Sequence, residues 1–265
     1  MPALGFGTWR LAGDLCYHTV RTALDAGYRH IDTAQTYFNE EEIGRAIRDS
    51  GLDRQMLFLT TKLSYDRVDP AQVFSTTEHS LARLKTYYVD LLLIHWPSKI
   101  TPLVQTLEAM AELVQHEKVR HIGVSNFPSA LLREACRLST LPILANQVEY
   151  HPYLSQTKLL ETCVQEGVML TAYAPTARAR VVQDETLIRI GQRYGKSSVQ
   201  VALRWLIQQP LVSAIPKSAH ADWVRSNFDV FDFELTEEEM QTIFALGSPA
   251  GRMLNPEGIA PKWDE

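Results

Sequence analysis

The feature that most constrains this chain is alternation. Short β-branched or leucine-rich runs are separated by longer amphipathic stretches almost to the C-terminus, a pattern that builds a parallel sheet covered by helices. The runs predict strands at Tyr28–Asp32, Leu57–Lys62, Asp90–His95, Arg120–Ser125, Ile143–Glu149, Met169–Tyr173 and Val212–Pro216, with a shorter one at Ala3–Thr8. Between them, apolar residues near i, i+3, i+4 and i+7 predict helices at Asp14–Ala26, Glu40–Asp49, Pro70–Lys85, Leu103–His116, Ser129–Leu138, Gln156–Glu166 and Ser197–Gln208. Gly27 and Gly167 suit helix C-caps, and Ser129 and Thr236 suit N-caps. Thr236 with Glu239 makes a capping box that opens a further helix, Thr236–Leu246. The segment from Gly247 to Glu265 has little periodicity and is expected to lie over the body of the fold as an ordered tail.

Right-handed βα crossovers either close into a barrel or stay open and doubly wound. The polar residues favour closure. Asp32, Lys62, His95, Ser125 with Asn126, Gln147, Tyr173 and Lys217 each stand at the C-terminal end of a different predicted strand. In a barrel those ends converge on the face where this architecture does its chemistry. The expected fold is therefore α/β, a (β/α)8 TIM barrel forming one domain over residues 1–265, a length that suits it.

Composition removes other classes of function. With 26 Lys and Arg against 31 Asp and Glu, the net charge of −5 argues against coating nucleic acid or an anionic membrane. No apolar run is long enough to span a bilayer, and the N-terminus lacks the pattern of a signal peptide. Cys16, Cys136 and Cys163 are odd in number and sit in periodic apolar segments, as buried thiols in a reducing compartment do, and no Cys/His cluster suggests a metal. A cytoplasmic protein acting on small molecules is expected. Gly5-Phe6-Gly7 imitates the opening of a dinucleotide fingerprint, but Arg10 stands where that motif needs its third glycine.

Asp32, Tyr37, Lys62 and His95 have complementary chemistry. A phenol is a poor acid near neutrality, and the Lys62 ammonium is expected to lower the pKa of Tyr37. A lysine buried at a barrel mouth needs a carboxylate partner, and Asp32 suits. A neutral His95 can donate a hydrogen bond to a carbonyl oxygen. Each has a plainer role open to it as well: Tyr37 as a capping aromatic, Lys62 and Asp32 as a structural ion pair, His95 as a satisfied core histidine.

Longer stretches add to this. Gly7-Thr8-Trp9, Gly27-Tyr28-Arg29, Ile31-Asp32-Thr33-Ala34 with Tyr37, Thr60-Thr61-Lys62, Ile94-His95-Trp96-Pro97, Gly123-Val124-Ser125-Asn126-Phe127, Asn146-Gln147, Glu149 and Ile215-Pro216-Lys217-Ser218 together resemble the aldo-keto reductases over essentially the whole chain. The resemblance implies a monomeric barrel that binds NADPH without a Rossmann domain and reduces aldehydes or ketones. Asp32, Tyr37, Lys62 and His95 match the family's catalytic tetrad. Gly7, Thr8, Trp9, Asp32, Ser125, Asn126, Gln147, Tyr173, Lys217, Ser218, Arg225 and Asn227 are the implied cofactor contacts, with Tyr173 stacking on the nicotinamide. Trp9, Phe38, His95, Trp96 and Trp263 are the implied substrate contacts, and no metal is implied. Arg252 and the run Asn255–Trp263, with short loops after His95 and Tyr173, narrow the likeness to the bacterial diketogluconate and methylglyoxal reductases.

Some positions depart from the family pattern. Ser64 replaces a frequent tryptophan, Tyr173-Ala174-Pro175-Thr176 replaces Tyr-Ser-Pro-Leu, and the barrel is expected to lack the full N-terminal hairpin of many family members. Trp223 stands where an arginine usually meets the 2′-phosphate, so NADPH is expected to be favoured over NADH by less than in relatives with that arginine. Two other functions remain to be weighed: a Schiff-base aldolase working through Lys62 or Lys217, and a cofactor-sensing binding module.

Overall fold

A strand covered by helices on one side and by a barrel interior on the other has no face for water, so it reads as a continuous apolar run. Val89–Ile94, sequence VDLLLI, is buried at every position. The structure, a computed structural model, describes residues 1–264. Among them are eight strands: β1 (Phe6–Gly7), β2 (His30–Asp32), β3 (Phe58–Leu63), β4 (Val89–Ile94), β5 (Val119–Ser125), β6 (Ile143–Glu149), β7 (Met169–Tyr173) and β8 (Val212–Ala214). They pair in parallel in sequence order, β1 to β8. The ring closes where the Ala214 amide donates to Ala3 O (2.9 Å), the Gly5 amide to Ala214 O (2.8 Å) and the Gly7 amide to Pro216 O (3.0 Å). β8 thus lies beside β1, as the barrel reading requires.

Ten helices accompany the strands among the described residues: α1 (Gly13–Ala26), α2 (Glu40–Ser50), α3 (Pro70–Leu84), α4 (Leu103–Gln115), α5 (Ser129–Leu138), α6 (Thr157–Glu166), α7 (Glu185–Tyr194), α8 (Ser198–Ile207), α9 (Ala221–Phe228) and α10 (Glu237–Phe244). Seven lie where periodicity places them, and the Thr236–Glu239 box opens α10. Gly27 and Gly167 close α1 and α6 in the left-handed conformation. Helices α7 and α9 were not among the predicted elements; they bury Leu187, Ile190 and Gly191, and Val224 and Asn227, respectively.

Ser129 departs from expectation in a useful way. The N-cap of α5 is Pro128, which offers no side-chain acceptor. The Ser129 amide and hydroxyl instead both donate to Asp264 Oδ2, at 2.8 Å each, so the tail supplies the cap across the chain.

Helices α2 and α3 approach closely at Gly44, where a Cβ would stand 2.5 Å from Leu84 O. Backbone cannot retreat as a side chain does. Gly44→Ala is therefore expected to destabilise the protein by about 1–3 kcal/mol, read as a fall in calorimetric Tm, and an unchanged Tm would mean that the helices can part freely.

Candidate active site

At the C-terminal ends of the strands lies a cavity of about 600 Å3. Gly7, Thr8, Trp9, Asp32, Tyr37, His95, Trp96, Asn126, Gln147, Tyr173 and Lys217 line it, so most of the residues singled out from sequence meet there. Lys62 stands just behind, with no exposed side-chain surface.

Tyr37 ends a short 3-10 turn, Gln35–Tyr37, that follows β2. Buried Asn39 pins that loop to the one after β1: its Nδ2 donates to Thr8 O and Leu11 O, both 2.9 Å, and its Oδ1 accepts from Thr33 Oγ1 at 2.8 Å. Lys62 Nζ donates to Asp32 Oδ1 (2.6 Å) and to Thr33 O (2.8 Å), and Gln147 Nε2 donates to Asp32 Oδ2 (2.7 Å). Both Asp32 oxygens are thus satisfied without water. The ammonium stands 5.1 Å from the centre of the Tyr37 ring, and the His95 ring lies 5.7 Å from it, edge to face. No protein group among the described residues takes the Tyr37 hydroxyl.

Burial sets the charges. It raises the pKa of Asp32 and lowers that of Lys62, each against the pull of its partner. Burial and the Lys62 charge take His95 down to about 3, so its imidazole is neutral. The Tyr37 phenol is pushed up by burial and then by the Asp32 charge, the reverse of the expected lowering by Lys62. The ammonium is committed to Asp32 and Thr33, which leaves Tyr37 a firmly protonated phenol.

The strand-end amides form a network of their own. Asn126 Nδ2 donates to His95 O (2.9 Å) and Ser125 Oγ (3.1 Å), Ser125 Oγ donates to Gln147 O (2.7 Å), and Tyr173 OH donates to Asn126 Oδ1 (2.7 Å). Ser125 is buried away from the cavity, while Asn126, Gln147 and Tyr173 face it. Ser218, Arg225, Asn227 and Phe38 lie outside the lining. Ser218 Oγ and the backbone of His220 bond each other, Arg225 pairs with Asp222 at 3.2 Å, Asn227 is buried in α9, and Phe38 is 89% exposed. Trp223 is exposed, with its ring 4.3 Å from that of His220. Trp263 is one ring removed from the cavity, edge-on to Trp96 at 6.2 Å.

Among the lining residues that the sequence reading missed are two cations. Arg10, considered only as a failed glycine, and Arg178, in the loop after β7, share the rim with Lys217. None of the three has an ion-pair partner among the described residues, and the cavity's one carboxylate, Asp32, is taken by Lys62. Their signal was a cation in each loop after β1, β7 and β8. A rim with three unmatched cations, beside the Tyr173 ring and uncommitted amide capacity on Gln147, fits a ligand that joins phosphates to a flat amide-bearing ring. Among the described residues no cluster of His, Cys, Asp or Glu could hold a metal, and no helix is long and apolar enough to cross a membrane.

Comparison with known proteins agrees with this geometry. A sequence model of the aldo/keto reductase family matches residues 3–247. The chain is 36% identical over 267 residues to the methylglyoxal reductase DkgB of Escherichia coli O157:H7, covering 100% of this chain and 99% of that one. It superposes with a TM-score of 0.98 on a crystal structure designated a 2,5-diketo-D-gluconic acid reductase B, at 47% identity, covering 100% of this chain and 94% of the other. It also superposes with a TM-score of 0.88 on a Bombyx mori aldo-keto reductase in complex with NADP, at 32% identity over 93% of this chain and 89% of that one.

Proposed function

The chain belongs to the aldo/keto reductase family, and from that premise we propose that it reduces small aldehydes, ketones and dicarbonyls to alcohols with NADPH, the proton coming from Tyr37. The observation that carries this reading is the convergence of Tyr37 and neutral His95 on one cavity, with the Lys62–Asp32 pair buried directly behind. When bound, the reduced nicotinamide supplies the hydride. His95 donates a hydrogen bond to the carbonyl oxygen and orients it, and the Tyr37 hydroxyl gives that oxygen its proton as negative charge develops there. Lys62 and Asp32 keep this wall of the cavity polar and rigid. Tyr173 would present its ring to the nicotinamide, and Asn126 and Gln147 would meet its carboxamide, Asn126 through the acceptor now shared with Tyr173. Methylglyoxal and diketogluconate, named for the relatives, are the substrate classes to assay first.

An imine at Lys62 is disfavoured by its complete burial and its two hydrogen bonds, which leave a substrate no approach to Nζ.

Arg10, Arg178 and Lys217 would hold the phosphates of the cofactor. Lys217→Ala and Arg178→Ala are each expected to weaken NADPH binding about tenfold, the loss of one charge-assisted contact, with kcat at saturating cofactor nearly kept. Quenching of tryptophan fluorescence on NADPH addition measures it. With Trp223 in place of a cation and Arg225 turned to Asp222, Arg225→Ala is expected to leave the NADPH to NADH ratio unchanged. A loss of preference in that variant would put Arg225 back among the cofactor contacts.

A further inference from the structure

Glu149, the last residue of β6, is fully buried and takes no part in the chemistry above. A carboxylate in that position is costly unless donors surround it. Its donors come from two places. His151 Nε2, two residues on in sequence and equally buried, lies 3.1 Å from Oε1. The others come from the tail: the Met253 amide donates to Oε1 at 2.8 Å, the Leu254 amide to Oε2 at 3.0 Å, and Arg252 Nη1 stands 3.9 Å from Oε2. Burial alone would raise the pKa of Glu149, but the His151 bond and the two amides hold it below the ordinary carboxylate range.

What this grip positions reaches the cavity. Leu254 lines it directly. Arg252 lays its guanidinium 3.6 Å over the Trp263 ring, whose Nε1 donates to Asn255 Oδ1 at 2.8 Å. Trp263 in turn meets Trp96, which lines the cavity. Asp264 ties the far end of the tail to Ser129, and Lys99 Nζ donates to Gly258 O at 2.8 Å. Among these ties the Glu149 clamp is the one built on a fully buried carboxylate.

We propose that Glu149 is a positioning residue for the substrate-side wall: by fixing the Met253 and Leu254 amides it sets Leu254 and the Trp96–Trp263 pair to receive an apolar substituent on the carbonyl, such as an aryl group. The inference rests on the carbonyl-reductase reading of the cavity. In Glu149→Gln one carboxylate oxygen becomes an amide nitrogen that faces a tail N–H donor to donor, so the clamp opens while size is kept. Glu149→Asp keeps the charge but is one methylene too short to hold both amides, and gives a milder version that spares the buried donors their full loss.

The test compares phenylglyoxal with methylglyoxal and follows amide exchange. In Glu149→Gln the KM for phenylglyoxal should rise about tenfold while that for methylglyoxal moves less than about twofold, since only the larger substituent reaches the wall. NADPH affinity should not change. Exchange at the Met253 and Leu254 amides should quicken about tenfold or more, with Glu149→Asp between the two. Leu254→Ala should reproduce the phenylglyoxal effect without releasing the Met253 amide. Equal KM shifts for both substrates, a shift confined to NADPH, or unchanged exchange at 253 and 254 would each overturn the proposal. Should Glu149→Gln fail to fold, Glu149→Asp and Leu254→Ala decide it by the same criteria. Failure of the reductase reading would look different: the wild type would then consume no NADPH with either dicarbonyl, while the exchange measurement would still report on the clamp.

Discussion

Tyr37→Phe is expected to cut kcat for carbonyl reduction by about 10²–10⁴-fold, with NADPH binding retained, because it removes the proton donor and little else. The hydroxyl has no protein partner to lose, and phenylalanine keeps the edge-to-face contact with His95. The charge states extend the prediction to pH. Tyr37 has its pKa raised by burial and then by Asp32, so it keeps its proton as pH rises through the ordinary working range. His95 is lowered to about 3, so it is neutral above mildly acidic pH. Reduction by the wild type should therefore show neither an acid limb from His95 nor an alkaline limb from Tyr37 between about pH 5 and 9. Stopped-flow measurement of NADPH oxidation across that range checks it. Wild-type turnover by Tyr37→Phe would remove Tyr37 from its role.

Lys62→Met is expected to lose comparable activity and, in addition, about 3–5 kcal/mol of stability, because it leaves the buried Asp32 carboxylate without its cation. Urea unfolding at pH 7 measures the loss. Asp32→Asn should cost less activity, since Thr33 O still anchors the lysine. Adding Asp32→Asn to Lys62→Met should recover part of the stability, as removal of the second charge relieves the first. If the double variant were as unstable as the sum of the singles, the pair would not be coupled and the ion-pair account would fail. The sign of the pH effect follows from the same pair. Burial raises Asp32 and lowers Lys62, so the variant that keeps only the carboxylate should regain stability as pH falls and Asp32 takes up a proton.

Much of this was legible before any coordinates. The strand-end placement of Asp32, Lys62, His95, Asn126, Gln147 and Tyr173 is a consequence of period, and period is written in the chain. What escaped was everything set by packing. Asn39 looks like any loop asparagine until its two backbone acceptors are seen from the loop after β1. The direction of the Tyr37 shift was misjudged because sequence names neighbours but not who holds whose hydrogen bonds. Asp264 at the start of α5 and Glu149 under the tail are contacts across more than a hundred residues, which no local pattern encodes. Arg178 was overlooked for another reason. It sits in a run, Ala177, Arg178 and Ala179, whose φ values of 49°, 52° and 71° are left-handed without a glycine, so no turn signature marks the loop that carries it to the rim.

Closure of the ring through Ala3, Gly5 and Gly7 turns a linear strand order into a circular one. The three unmatched cations follow β7, β8 and β1, which closure makes adjacent, while Asp32, Lys62 and His95 come from β2, β3 and β4 on the neighbouring arc. On the proposed reading, handling of the cofactor's phosphates and proton delivery would occupy separate sectors of one circumference. A change of charge in the loops after β7, β8 and β1 would on that reading act on coenzyme binding while the buried Lys62–Asp32 pair and the Tyr37 phenol stay undisturbed. Choice of nicotinamide coenzyme and acid chemistry would then be separately alterable by substitution on this scaffold.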